Sequence, residues 1–270
     1  MKKVSTRQIT MAGILSAICI VMALTPLGYV PVGPVKATIL HIPVIIAGIF
    51  GGYWIGGITG LVFGITSFLQ APTDPTFSPI WASADAIQII LLLITTLVPR
   101  VLIGIVSSFI YKATEKISNK LSIIIFVAIQ LLAFSLNRWQ MIRNIQTGES
   151  YWVNLLIDAA IIILNILVVR SYKKFNMQVV FATVMGTLTN TILFILMAYQ
   201  FFKHQFAAAF KISLETVKNI WVTAGITNGS MELILAVVLV NYISLGLFAY
   251  LKGGKGGNNQ TKSNETGVSE

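Results

Sequence analysis

Eight stretches of this chain are too apolar to face water, and they constrain its fold more than any other feature. They run from Ile9 to Leu24, Ala37 to Phe50, Trp54 to Leu69, Ala84 to Tyr111, Leu121 to Leu136, Val153 to Val169, Val179 to Phe202 and Ile220 to Leu251. A helix that crosses a bilayer needs roughly 20 mainly apolar residues, because in hydrocarbon only a helix or a closed barrel satisfies its own backbone. Barrel strands would alternate apolar and polar residues over about ten positions, and these runs do not alternate. Composition agrees: 56% of residues are apolar, 10% are charged and the mean hydropathy is +0.82, against about 25% charged in an average globular chain. The fold class expected is therefore all-α integral membrane with about eight spans. The second, third and fifth stretches are short, so they tilt little or extend into the interface.

The formal charge of +10 suggests nucleic acid, but the placement of the charges argues against it. If every stretch crosses, Lys2, Lys3, Arg7, Lys112, Lys116, Lys120, Arg170, Lys173, Lys174, Lys252, Lys255 and Lys262 fall on one side. Lys36, Arg138, Arg143, Lys203, Lys211 and Lys218 fall on the other, with Arg100 inside a span. Twelve against six is a positive-inside bias that places both termini in the cytoplasm. The basic start followed by an apolar run also resembles a signal peptide, but no clean cleavage site follows, and the first span is expected to be retained. Cys19 is the single cysteine, which excludes an internal disulfide and a cysteine-based metal cage. No metal ligand set, nucleotide loop or cofactor motif is present.

Basic clusters flank the segment from Ser118 to Phe175, which holds two apolar stretches joined by the polar loop Asn137 to Trp152. Both stretches must cross or neither does. The organisation expected is residues 1–117 as the first four spans, 118–175 as a transmembrane hairpin added to a six-span core, 176–251 as the last two spans, and 252–270 as a disordered cytoplasmic tail rich in Gly, Asn and Ser. Gly48, Gly52, Gly56, Gly60 and Gly64 recur every fourth residue. The chain turns near Gly51 and Gly52, so Gly56, Gly60 and Gly64 share one helix as a smooth packing face.

Polar groups inside the spans are the functional candidates, since they are expensive in hydrocarbon. Asn190 lies mid-span beside Thr187, Thr189 and Thr191. It either binds a solute or bonds to a neighbouring helix. Glu232 lies one helical turn after Asn228, so the two share a face, and a functional role is the expectation for such a carboxyl. His41, before Pro43, serves as a solute donor or as a backbone cap. Asp85 and Gln88 open the fourth span, where a helix cap accounts for them. Arg100, after Pro99, faces an anionic solute, snorkels or meets a partner. Phe77, Trp81 and a loop from Lys203 to Lys218 are placed to close over an outer site. In the first span, Ala12, Gly13, Ser16 and Ala17 form overlapping small-xxx-small pairs, suited to ordinary packing or to a partner subunit.

These phrases resemble the substrate-binding S-component of energy-coupling-factor (ECF) vitamin transporters. The resemblance rests on Leu27 to Pro34, Ala37 to Ile45 with His41-Ile42-Pro43, the Gly-rich third span, Val98 to Gly104, Gly186 to Thr191 and Thr227-Asn228-Gly229. It implies a six-helix bundle that captures a vitamin or its precursor at its outer side. The site would be Asn190, Asn228, Glu232, His41, Thr187 and Arg100. The resemblance also implies partners: a transmembrane coupling subunit, met through Ala12, Gly13, Ser16 and Ala17, and two cytoplasmic ATPases. The branch it is most similar to is that for pantothenate, in a bacterial cytoplasmic membrane. Two other readings stand beside it. One is a self-sufficient proton-coupled transporter using Glu232, Asp85 or His41 as relays. The other is an intramembrane enzyme, for which no nucleophile-and-base spacing is found.

Overall fold

A computed structural model describes residues 5–32, 35–74, 77–148, 150–170 and 176–265; the side chains of 29–32, 35–37, 119 and 251–265 are outside the description. Among the described residues, nine α-helices and one β ribbon follow in the order α1 (Thr6–Leu24), β1 (Tyr29–Val32), β2 (Val35–Thr38), α2 (His41–Gly51), α3 (Tyr53–Gln70), α4 (Ser78–Ala82), α5 (Ala86–Ala113), α6 (Asn119–Thr147), α7 (Trp152–Arg170), α8 (Met177–Phe210) and α9 (Leu214–Glu265). Every helix except the five-residue α4 coincides with one of the eight apolar stretches. Six of them are long and apolar enough to cross a membrane, and the chain is an all-α membrane protein.

The second stretch departs from its expected bounds. Ala37 and Thr38 belong to strand β2, paired antiparallel with β1 so that Tyr29 faces Thr38 and Val32 faces Val35. Helix α2 keeps eleven residues, about 16 Å at 1.5 Å per residue, or roughly half a hydrocarbon core. Pro31 and the β-branched Val30, Val32, Val35 and Thr38 suit a short extended ribbon better than a helix. The expected loop from Lys203 to Lys218 is also corrected: α8 continues to Phe210 and α9 begins at Leu214, leaving a tight turn with Lys211 in the left-handed region at φ 55°. The tail expected to be irregular over 252–270 continues as helix α9 to Glu265, while residues 266–270 lie outside the described set.

Glycine sets the closeness of the central helices. Gly52, at φ 87°, turns α2 into α3, a conformation that disfavours any residue with a Cβ. Gly48 on α2, Gly56 on α3 and Gly104 on α5 meet backbone to backbone: a Cβ on Gly56 would lie 2.8 Å from the Gly104 Cα and 2.8 Å from the Gly48 Cα. Farther along α3, Gly60 lies against the Arg100 carbonyl and Gly64 against Leu97. A smooth stripe on one helix thus lets three helices share one crossing.

The core around this crossing joins Ile45, Ile49 and Phe63 to Ile103, Val179, Ala182 and Val240. Helices α6 and α7 attach on the far side, where Phe126, Leu164 and Val168 pack on Val180, Phe181 and Val184 of α8 and on Leu233 and Val237 of α9. The pair is also joined by a polar ladder. Asn137 donates to Asp158 at 2.7 Å and to the Asn154 carbonyl at 2.8 Å. Asn154 donates back to Asn137 at 2.8 Å, Asn144 donates to Asn154 at 3.1 Å, and Arg138 pairs with Asp158 at 3.3 Å.

Gly104→Leu should separate α3 from α5. It is expected to lower the thermal midpoint of the detergent-purified protein by at least the equivalent of the about 1–3 kcal/mol typical of overpacking. A Cβ at Gly13 meets nothing within 4 Å, so Gly13→Ala should leave the midpoint unchanged or raise it.

Candidate functional site

The pattern of α5 places a cation within the bundle. Proline at position 99 has no N–H, so the carbonyl four residues back, that of Thr95, loses its helical partner. The Arg100 guanidinium takes its place, donating to the Thr95 carbonyl at 3.2 Å. The guanidinium also packs on the faces of Phe194 at 4.4 Å and Phe63 at 5.6 Å, within the range of cation–π attraction. Arg100 is 9% exposed.

Arg100 forms part of the wall of a cavity of about 560 Å³, which Asn190 and Thr191 of α8 line together with Asn228 and Glu232 of α9. Such a volume lies within the range of about 300–1,000 Å³ of small-molecule sites. At the ribbon end the cavity is bounded by Thr38 and Leu40, and by Gln70 and Asp74 at the end of α3. Aromatic rings cover its flank: Phe77, Phe194 and Trp221 approach one another at centroid distances of 5.8, 6.3 and 6.2 Å.

Two polar contacts hold the ribbon end in place. The Glu232 carboxylate accepts a hydrogen bond from the Thr38 backbone N–H at 3.1 Å, joining the end of β2 to α9. The Gln70 amide donates to the Ala23 carbonyl, tying the end of α3 to that of α1. Inside the cavity wall, Asn190 Oδ1, Thr191 Oγ1 and Trp221 Nε1 are buried without a hydrogen-bond partner among the described residues. Buried polar atoms of this kind are usually satisfied, and a solute carrying complementary donors and acceptors would satisfy them.

Of the six site residues expected from sequence, Asn190, Asn228, Glu232 and Arg100 line one cavity. His41 and Thr187 do not form its wall: both are buried, His41 as the first residue of α2 and Thr187 within α8, at 1% and 0% exposure. Asp85 and Gln88 cap α5, as expected, with a reciprocal capping box in which the Gln88 N–H donates to Asp85 at 2.7 Å. Phe77 lines the cavity; Trp81 instead packs edge-on against Phe68 at 5.4 Å. In α1, Ala12 turns inward onto Ala47 and Ile55, which leaves Gly13 and Ala17 exposed and Ser16 half-buried. This departs from a partner face using all four. The Lys36 side chain lies outside the described residues.

Several lining residues were not among those expected. Thr191 belongs to the same phrase as Asn190 and was legible there. Gln70 and Asp74 follow the Gly-rich span as an unremarked polar pair. Trp221 and Phe206 come together only because the turn between α8 and α9 is tight.

Among the described residues, a multi-helix membrane bundle whose polar groups converge on a mostly apolar cavity has the geometry of a solute-binding membrane protein. Residues 7–143 match the sequence model of the family described as ECF transporter, substrate-specific component. The chain belongs to that family. It is also similar to the pantothenic acid transporter PanT of Lactococcus lactis subsp. cremoris (strain MG1363), at 34% identity over 130 residues, covering 42% of this chain and 61% of that protein. The chain thus spans about three fifths of the length of the curated relative that it matches.

Removing the Glu232 acceptor leaves the Thr38 N–H unpaired at the cavity edge. Glu232→Ala should therefore speed hydrogen exchange across residues 28–40 by roughly tenfold, in line with the about 1–3 kcal/mol cost of leaving a donor without its partner. Mass-spectrometric exchange on the detergent-purified protein reads this directly.

Proposed function

We propose that this chain is the substrate-capture subunit of an ATP-driven ECF importer in a bacterial cytoplasmic membrane, and that its solute is pantothenate. The observation that carries the reading is the convergence of Arg100, Asn190, Asn228 and Glu232 on one cavity. Pantothenate offers a carboxylate, an amide and hydroxyls. The carboxylate suits the Arg100 guanidinium, and the amide and hydroxyls suit the carboxamides of Asn190 and Asn228. Similarity to a pantothenic acid transporter supports the same choice.

In this reading the chain is not an enzyme and has no ATPase of its own. Energy arrives through a transmembrane coupling subunit and two cytoplasmic ATPases, with the exposed Gly13 and Ala17 of α1 as the part of the small-residue face open to the coupling subunit. The charge bias puts both termini in the cytoplasm and the ribbon end of the cavity outside. Residues 1–117 and 176–251 form the binding bundle, and 118–175 are an added hairpin.

Purified protein is expected to show a thermal shift with pantothenate, because a ligand that prefers the folded state stabilises it by mass action. Asn190→Ala and Asn228→Ala should each weaken binding by roughly tenfold, the effect of leaving one buried polar group unpaired. Parent-like binding in both variants would remove the site assignment, and binding of a different vitamin in preference to pantothenate would correct the solute. Vesicles holding this chain alone under a pH gradient are expected to take up nothing; uptake there would instead establish a proton-coupled carrier.

A further inference from the structure

Apart from the solute cavity, the helix pair α6–α7 carries a groove of about 530 Å³ that opens sideways between the two helices. Its walls are apolar. Leu131, Ile162 and Val169 line it and are 61%, 51% and 48% exposed, so they face the surroundings of the bundle rather than its core.

Two features distinguish this groove from an ordinary lipid-facing surface. The first is Gln130 on its floor: the side chain is 1% exposed, and neither its amide nitrogen nor its oxygen has a hydrogen-bond partner among the described residues. A primary amide left unpaired in an apolar setting is costly. The second is Arg170, the last residue of α7, which closes one end of the groove. Lys120 lies at that same end, seven residues and two helical turns before Val127 on the α6 stripe that lines the groove. The chain flanking the pair, 112–120 and 170–174, holds six Lys and Arg residues against the single acid Glu115.

The spacing relates the two features. Asn137 faces Asn154 and Asp158 in this antiparallel pair, so stepping seven residues back along α6 brings Gln130 level with Ile161 and Asn165. Asn165 in turn lies five residues, about 7.5 Å along the axis, from Arg170. An anion held by Arg170 would therefore have a hydrogen-bonding group of the protein one and a half turns farther in, followed by an apolar channel between Phe134, Ile161 and Ile162.

We propose that this groove binds an anionic diacyl phospholipid. The phosphate pairs with Arg170, with Lys120 beside it, as basic groups at a membrane surface attract anionic headgroups. A glycerol ester carbonyl accepts a hydrogen bond from the Gln130 amide, and one acyl chain fills the apolar channel. Each part of the lipid meets the matching chemistry in order along the groove. This gives the hairpin a role in anchoring the bundle to acidic lipid that does not depend on which solute the cavity holds.

Full-length protein in detergent is titrated with phosphatidylglycerol and with phosphatidylcholine of the same acyl chains, and bound lipid is counted by native mass spectrometry. Phosphatidylglycerol is expected to bind with roughly fivefold higher affinity, the contribution of one basic residue near the surface, and Arg170→Gln should remove that preference. Gln130→Leu should weaken both lipids without lowering the thermal midpoint, because it removes an unpaired amide. Equal binding of the two lipids by the parent protein, or an unchanged preference in Arg170→Gln, would overturn the proposal. So would oleate binding as tightly as phosphatidylglycerol, or a dimer that covers the groove and persists after delipidation.

Discussion

Close approach of backbones at one crossing is the constraint on which the rest of the structure depends. Gly48, Gly56 and Gly104 bring α2, α3 and α5 into contact without intervening side chains. In a bilayer the helices gain little from burying apolar surface, so such packing is what holds them together. The same stripe continues as Gly60 against the Arg100 carbonyl. The register of α5 on α3 is therefore fixed at the residue that carries the positive charge into the cavity wall.

Around that fixed cation, the cavity is built from groups that are partly satisfied by the protein and partly left open. Pro99 frees the Thr95 carbonyl for Arg100, and Glu232 accepts from the Thr38 backbone. Each of these bonds uses part of a side chain's capacity and holds it in one orientation. Asn190, Thr191 and Trp221 keep polar atoms at the wall that have no partner among the described residues. Such division between anchored and available groups lowers the ordering cost a solute must meet on binding.

Much of this was legible in the chain because lipid imposes simple rules. Runs of apolar residues gave the helices, and the polar residues interrupting them gave Asn190, Asn228, Glu232 and Arg100, since such groups are rare in hydrocarbon. His41 and Thr187 met the same criterion yet lie behind the wall, because sequence spacing does not tell which side of a helix faces a cavity and which faces another helix. Phe77 was legible as a ring placed to close over an outer site, and Trp221 was harder. An aromatic residue near a membrane interface reads as an anchor, and only the packing of α9 against α8 and the residue before α4 shows Trp221 beside Phe194 and Phe77. The β ribbon was missed because its few residues merge with the apolar run of α2. A short strand pair has no periodicity long enough to separate it from a helix.

The ladder between α6 and α7 bears on how the chain enters the bilayer. Alone in lipid, α6 would expose Asn137 and Asn144, and α7 would expose Asn154 and the carboxylate of Asp158. Insertion penalties at a helix centre reach about 2.5–3.5 kcal/mol for a charged residue such as Asp. Paired, these groups satisfy one another, with Arg138 balancing Asp158. Each helix is apolar enough to cross by itself, but its polar side chains are matched only by the other, so the hairpin presents less uncompensated polarity to lipid than its two halves would separately.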